Sequence, residues 1–329
     1  MRRAGVAILG FGTVGAGVAD CLLKRRETIA RRTGTDVRLV RVADLDTTSD
    51  RGVELPPGVL TADAMAAIAD PEVDLVVETI GGTGVAKKFQ LAALEAGKAL
   101  VTANKKLLAE CGREIFEAAA RRKAFLGFGA AVGGGIPVVR VVKDALAGNT
   151  FTSIAGILNG TCNYILTRMA DEGLAFDEAL AEAQRLGYAE ADPSLDVDGW
   201  DSAHKICILA NLAFGCDIGP SDIEVEGIRG VTKETIGRAL AKGEAVKLVA
   251  RAGIGADGKV AASVRPESIS RSQMLARVDG VFNAVEIESE PAGKTFYAGR
   301  GAGRDPTAST IVGDICDWAR ILARGEGKA

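Results

Sequence analysis

One histidine, His204, stands among 329 residues. Six cysteines sit at positions 21, 111, 162, 207, 216 and 316, and no two are spaced as CxxC. A structural zinc site and a disulfide framework are therefore both set aside. The thiols read instead as small buried apolar residues in a reducing compartment. Aromatic residues make up only 5% of the chain, and the net charge is −3. With few rings to stack on bases and no basic stripe to neutralise phosphates, a nucleic acid partner is excluded. No apolar run approaches the length of a membrane span. The N-terminus leads directly into a strand-like Val6-Ala7-Ile8-Leu9, without a signal-peptide pattern. The expectation is a cytoplasmic protein with no membrane partner. Internal repeats and low-complexity tracts are absent.

What is present suits a folded globular protein, with 47% apolar and 25% charged residues. The length predicts two domains, or a large one plus a small one. Gly5 to Leu9 reads as a strand, followed by Gly10-Phe11-Gly12-Thr13-Val14-Gly15 and a helical stretch from Ala16 to about Thr33. Strand, GxGxxG and helix in that order form the context of a dinucleotide fingerprint. The first glycine allows the tight turn, the second lets backbone approach a pyrophosphate, and the third lets helix and strand pack closely. The helix N-terminus then offers unpaired N–H groups to phosphate.

A second strand, Val37 to Ala43, ends at Asp44, the candidate for the ribose hydroxyls. Asp44 falls further along than the usual spacing of about 20 residues, as a long first helix would require. No arginine follows it directly, which favours NAD over NADP, although Arg38 and Arg41 stand close in sequence. The rival reading of Asp44 is an ordinary acid at a strand end. Further strands are expected at Val73–Glu78, Ala99–Thr102 and Ala124–Phe128, with helices at Ala62–Ala69, Val85–Ala96 and Leu107–Lys123. Five strands alternating with helices predict a Rossmann-type, doubly wound parallel α/β sheet over residues 1–135. Ligands bind at the carboxyl ends of such strands, where Gly12, Thr79, Gly81 and Lys105 are placed.

Gly133-Gly134-Gly135-Ile136-Pro137 interrupts the alternation and reads either as a hinge or as backbone that wraps a cation or cofactor. Residues 136–300 are expected to form an α+β substrate-binding and dimerisation domain. Helices are read at 138–146, from 159 to about 172, at 176–186 and at 199–214. Strands are read at 152–158, 245–253, 259–264, 281–287 and 294–297, with a hairpin at Asp257-Gly258. A helix after Gly299-Arg300-Gly301-Ala302-Gly303 is expected to pack back on the first domain over residues 301–329, with the last residues frayed.

Within this second domain, residues 187–205 hold Glu190, Asp192, Asp196, Asp198, Asp201 and Lys205. Asp201 and Lys205 are four apart, on one helical face. Such a lysine can hold a proton near a carbonyl, and the carboxylates can hold a substrate ammonium. The rival reading is a solvated acidic loop with a weak surface ion pair. His204 lies about 100° around the helix from Lys205 and is read as structural.

The motifs GFGTVGAGV, TANKKLL, VGGGIPV, NGTCNYIL, LDVDGWDSAHK and GAGRDPTAS, in this order, resemble homoserine dehydrogenase along nearly the whole chain. The resemblance implies reversible reduction of L-aspartate 4-semialdehyde to L-homoserine with NAD or NADP, on the routes to threonine, methionine and isoleucine. It implies catalytic roles for Lys205 and Lys105, with Lys105 near the nicotinamide. Glu190, Asp201, Asp196 and Thr161 would bind substrate. Gly187 and Gly303 would join the cofactor contacts. Main-chain oxygens of Gly129, Val132, Gly134 and Ile136 would bind sodium, and the protein would be a homodimer. Where the family commonly has Glu-Ala-Ser-Val, this chain has Gly129-Ala130-Ala131-Val132, a change that spares backbone ligands and removes a side chain. The chain also stops where many relatives add a regulatory domain, so threonine feedback through such a domain is not expected. The competing readings are a dehydrogenase of a related hydroxy amino acid or amino acid aldehyde, and a nucleotide-binding protein without turnover.

Overall fold

The computed structural model describes residues 1–255 and 257–325. The fraying expected for the tail therefore falls, from residue 326 onward, outside the described residues. Two compact units are formed, one from Met1–Gly135 with the C-terminal segment from Gly303, the other from Ile136–Ala302.

The first unit begins with β1 (Arg2–Leu9), α1 (Thr13–Lys24), α2 (Arg26–Thr33), β2 (Thr35–Ala43), β3 (Leu60–Thr61) and α3 (Ala64–Ala69). It continues with β4 (Leu75–Glu78), α4 (Val85–Glu95), β5 (Ala99–Thr102), α5 (Lys105–Arg121) and β6 (Leu126–Gly127). The sheet is parallel throughout, in the order β3-β2-β1-β4-β5-β6. Helices cover both faces of such a sheet, so central strands are apolar without alternation. Val6, Ala7, Ile8 and Leu9 are all fully buried. The expected fold class holds, with two differences. The short β3 is a sixth strand, which its two-residue length concealed. The single helix expected from Ala16 to Thr33 is two, because Arg25 leaves helical geometry (φ −114°, ψ 14°).

Gly5 shows how tightly β1 is packed. A Cβ there would lie 1.8 Å from the Glu72 carbonyl oxygen and 2.9 Å from Val40 Cγ2. Gly5→Ala is expected to destabilise the protein by about 1–3 kcal/mol or more. An unchanged melting temperature would contradict this packing.

The second unit opens with α6 (Val138–Arg140), which runs into a π-helical turn at Val141–Ala145, then β7 (Thr150–Ile157), α7 (Gly160–Glu172), α8 (Phe176–Arg185) and α9 (Ser194–Val197). It continues with α10 (Trp200–Phe214), β8 (Glu224–Val225), α11 (Lys233–Ala241), β9 (Glu244–Ile254), β10 (Val260–Ser270), β11 (Phe282–Glu290) and β12 (Gly293–Arg300). Its mixed sheet has the order β12-β11-β7-β9-β10-β8, with only β8 parallel to its neighbour. The turn at Asp257-Gly258 joins β9 to β10 as read. However, β10 runs to Ser270, since it pairs with β9 along its full length. The sequence reading missed α9, β8 and α11. For α11 a signal exists: Thr232 caps it by accepting from the Thr235 amide.

Residues from α12 (Arg304–Ala323) complete the first unit. Ala308, Ile311, Ile315, Trp318, Ala319 and Leu322 enter that unit's core. Gly17 on α1 allows the approach, because a Cβ there would meet Arg304 Cγ at 2.9 Å and Ala308 Cβ at 3.1 Å. None of the six cysteines is in a disulfide, and only Cys162 and Cys207 are buried. The other four are partly exposed, which corrects the expectation of uniformly buried thiols.

Candidate active site

The first unit places its glycine loop at the carboxyl end of β1. Gly10 takes φ +95°, a conformation that favours glycine. A Cβ on Gly15 would lie 1.9 Å from the Gly10 carbonyl oxygen, so α1 can begin this close to β1 only with glycine there. Phe11 is buried, and Thr13 and Val14 occupy the first turn of α1. At the end of β2, Asp44 Oδ2 accepts from the Phe11 amide at 2.5 Å, and Oδ1 accepts from the Asp46 amide at 2.9 Å. At the end of β4, the Thr79 hydroxyl donates to the Gly10 carbonyl at 2.8 Å. Gly10, Phe11, Gly12, Thr13, Val14, Gly15, Asp44, Thr79 and Gly81 therefore share the carboxyl edge of the sheet. The strand order reverses there between β1 and β4.

A residue to which the sequence reading assigns no role organises this edge. Glu78 is fully buried. Its Oε1 accepts from the Ile80 and Gly81 amides at 2.7 and 3.0 Å. Its Oε2 accepts from Gln90 Nε2 at 2.6 Å and from the Thr102 hydroxyl at 2.8 Å. One carboxylate thus ties the turn after β4 to the end of β5. Asn104 continues the link, donating to the Gly82 carbonyl at 2.7 Å and capping α5 through the Leu107 amide. Lys105, half-buried, is the first residue of that helix.

In the second unit the site forms around α10, whose residues Asp201 to Ala210 are all buried. A helix enclosed on every side has no solvated face for an idle ion pair. Lys205 Nζ donates to Asp201 Oδ2 and to the Leu158 carbonyl, each at 2.6 Å. The two side chains are 8% and 4% exposed, so the surface salt bridge weighed above is ruled out. Asn159, the cap of α7, donates through Nδ2 to Asp196 Oδ1 at 2.6 Å and to Asp201 Oδ2 at 2.8 Å. Asp196, Asp201 and Lys205 are therefore brought together, with Asn159 as the bridge that sequence reasoning missed. Its only sequence signal is that of a helix cap after a strand.

Cys162 lies against this cluster, its thiol donating to the Asp196 carbonyl at 3.1 Å. Burial, then the charges of Asp196 and Asp201, push that thiol well above its ordinary range, so it stays protonated. His204 is buried as well. The remaining substrate candidates sit apart from the buried pair. Thr161 donates its hydroxyl to the Tyr188 carbonyl at 2.6 Å, which pins the turn containing Gly187 (φ +75°). Glu190 is exposed, and among the described residues no hydrogen bond joins its carboxylate to Asp201 or Lys205.

Around the glycine-rich break, Gly129 donates its amide to the buried Asp314 carboxylate at 2.8 Å, and the Gly134 carbonyl accepts from the Thr310 hydroxyl at 2.7 Å. Asp314 and Thr310 stand on α12 and surround Gly129, so a Cβ there would approach Asp314 Oδ1 at 3.0 Å. The Ile136 carbonyl accepts from the Val138 amide at 2.8 Å. Gly303 (φ +118°) caps α12.

Two family profiles match this chain. The profile described as homoserine dehydrogenase matches residues 137–316, and the one described as its NAD binding domain matches residues 10–126. The chain belongs to the homoserine dehydrogenase family.

The homoserine dehydrogenase of Neisseria gonorrhoeae is 44% identical over 325 residues, covering 98% of this chain and 74% of that protein. That of Bacillus subtilis is 39% identical over 316 residues, covering 96% and 72%. Among solved structures, the homoserine dehydrogenase of Thiobacillus denitrificans superposes with a TM-score of 0.95 at 41% identity, covering 99% of this chain and 75% of that one. A hyperthermophilic archaeal homoserine dehydrogenase in complex with NADPH has a TM-score of 0.80 at 27% identity, covering 95% and 96%. As a homoserine dehydrogenase, the protein is an NAD(P)-dependent oxidoreductase acting on a CH–OH group. It interconverts L-homoserine and L-aspartate 4-semialdehyde.

Proposed function

We propose that Lys205 is the proton carrier of this reaction. The observation that supports it is a buried amine held between one carboxylate and one carbonyl at 2.6 Å each. When the aldehyde accepts a hydride, negative charge grows on its oxygen. A nearby ammonium stabilises that charge and supplies the proton. An ordinary lysine titrates near about 10.4 and is already protonated for this direction. Alcohol oxidation needs the neutral amine, so it should accelerate toward alkaline pH. The bound nicotinamide cofactor supplies the hydride chemistry, while the chain supplies position and field.

Lys105 would stand beside the nicotinamide at the start of α5, a place set by Glu78 and Asn104. Asp201, Asp196, Glu190 and Thr161 would hold the amino acid, the last two by acting from the surface turn at 187–190. Gly187 and Gly303 would complete the cofactor contacts of the glycine loop. A sodium ion would use main-chain oxygens of Gly129, Val132, Gly134 and Ile136. Two of these already accept one hydrogen bond, and each carbonyl retains a second lone pair. The proposed assembly is a homodimer through the second unit's sheet, whose edge strand β12 offers unpaired backbone. Cytoplasmic location is proposed with it. Among the described residues, no helix is long and apolar enough to cross a membrane.

Cofactor choice follows from charge at the end of β2. Arg38 is paired with Asp36 at 2.8 Å, Arg41 with Asp70 at 2.9 Å and Arg51 with Asp46 at 2.8 Å. With Asp46 offset by Arg51, Asp44 is the carboxylate that leaves that edge acidic, which disfavours a 2′-phosphate. With homoserine as substrate, kcat/KM is expected to be about tenfold or more higher with NAD than with NADP. Initial rates with both cofactors, run across a panel of hydroxy amino acids, test the reading. Equal kcat/KM with the two cofactors would overturn it.

A further inference from the structure

Asn283 on β11 is 1% exposed. Its Nδ2 donates to the Leu158 carbonyl at 2.7 Å, the same oxygen that accepts from Lys205 Nζ. A carbonyl accepts and cannot donate, so this contact fixes which end of the amide faces it. Oδ1 then points the other way, buried and without a hydrogen-bond partner. Leaving such an acceptor unsatisfied is costly, and its retention calls for a reason. Two neighbouring glycines are shaped around this side chain. A Cβ on Gly301 would fall 2.1 Å from both Asn283 Cγ and Nδ2, and one on Gly160 would fall 3.4 Å from Oδ1. The chain therefore makes room for an amide that is hydrogen-bonded at its nitrogen end and not at its oxygen.

We propose that Asn283 is a positioning residue for the reaction: it holds the Leu158 carbonyl in place so that the Lys205 amine keeps a neutral acceptor opposite Asp201. The inference rests on Lys205 being the proton carrier. An amine gripped by a carboxylate alone could turn toward it. Two fixed acceptors define how the amine is oriented, and Asn283 is what immobilises the uncharged one. Around the amine stand Asp201 on its own helix, Asp196 on α9 through Asn159, and the protonated thiol of Cys162 on α7. The side chain that β11 contributes is the neutral amide, so the net charge around the amine depends on position 283 staying uncharged.

The test uses the full chain with Asn283→Ala, Asn283→Asp and, in parallel, Lys205→Ala. Asn283→Ala is expected to lower kcat for homoserine oxidation by about 10- to 100-fold, through a misplaced amine, with the cofactor KM unmoved. Asn283→Asp puts a carboxylate beside the amine and favours its charged form. The alkaline rise of the oxidation rate should then move upward by about one pH unit. A purely structural role would lower the melting temperature and leave the kcat of the folded protein where it was, whatever the added charge does to the profile of Asn283→Asp. If Asn283→Ala fails to fold, Asn283→Leu, of similar shape and without the donor, decides by its kcat. Wild-type kcat in the folded variant that lacks the donor, beside an inactive Lys205→Ala, overturns the role of Asn283 only. An active Lys205→Ala overturns the proton-carrier assignment beneath it.

Discussion

Lys205→Ala should lose turnover by about 10³-fold or more in both directions, since it removes both the proton carrier and the charge that meets the developing oxyanion. NAD(P)H binding, followed by fluorescence titration, should stay within a few-fold of wild type, because the glycine loop, Asp44 and Thr79 belong to the other unit. The substitution has a second consequence that must be separated from chemistry. It leaves the Asp201 carboxylate, in a side chain 4% exposed, without its ammonium. Removing one partner of a buried pair typically costs about 3–5 kcal/mol. Part of that loss is offset here, because Asn159 Nδ2 still donates to Asp201 Oδ2. Combining Lys205→Ala with Asp201→Asn removes both charges and should restore much of the lost stability, but none of the activity. Turnover within a few-fold of wild type in a folded Lys205→Ala protein would end the assignment.

The parts of this site that could be read from sequence are those carried by short-range spacing. The interval from Gly10 to Gly15 fits a strand–turn–helix, and the interval from Asp201 to Lys205 fits one helical turn. Both pairs of residues stand as their spacing requires. The groups that position them could not be read in this way. Glu78 gathers Gln90 and Thr102 from 12 and 24 residues away, and Asn159 gathers Asp196 and Asp201 from 37 and 42. Asn283 reaches Leu158 across 125 residues. No local period marks such partners, because the sheet order brings them together. The same limit explains the misread elements. The full extent of β10 is set by pairing with β9. The substitution at Gly129 is an intermediate case. Its departure from the family pattern is visible in sequence, but its setting is not: Asp314, 185 residues away, fills the space beside it.

Gly12→Ala and Gly15→Ala should both abolish cofactor binding, for different reasons that stability measurements separate. At Gly12 a Cβ would meet nothing within 4 Å, and the backbone is extended with φ −72°, open to any residue. The protein alone has no objection to alanine there. The folded state should keep its melting temperature within a degree or two. If a pyrophosphate comes to rest against this turn, the added methyl group occupies the space its oxygens need. NAD(P)H affinity should then fall by about 100-fold or more, equivalent to about 3 kcal/mol of binding. At Gly15 the obstruction is internal: 1.9 Å from the Gly10 carbonyl oxygen and 2.9 Å from the Thr79 hydroxyl. Backbone cannot yield there without moving the start of α1 away from β1. Gly15→Ala should therefore lose both stability and affinity, and saturating cofactor should not rescue it. A Gly12→Ala protein that binds NAD(P)H like wild type would mean that the phosphates do not approach this turn. The cofactor would then have to lie elsewhere along the carboxyl edge of the sheet, and the roles given to Asp44 and Lys105 would go with it.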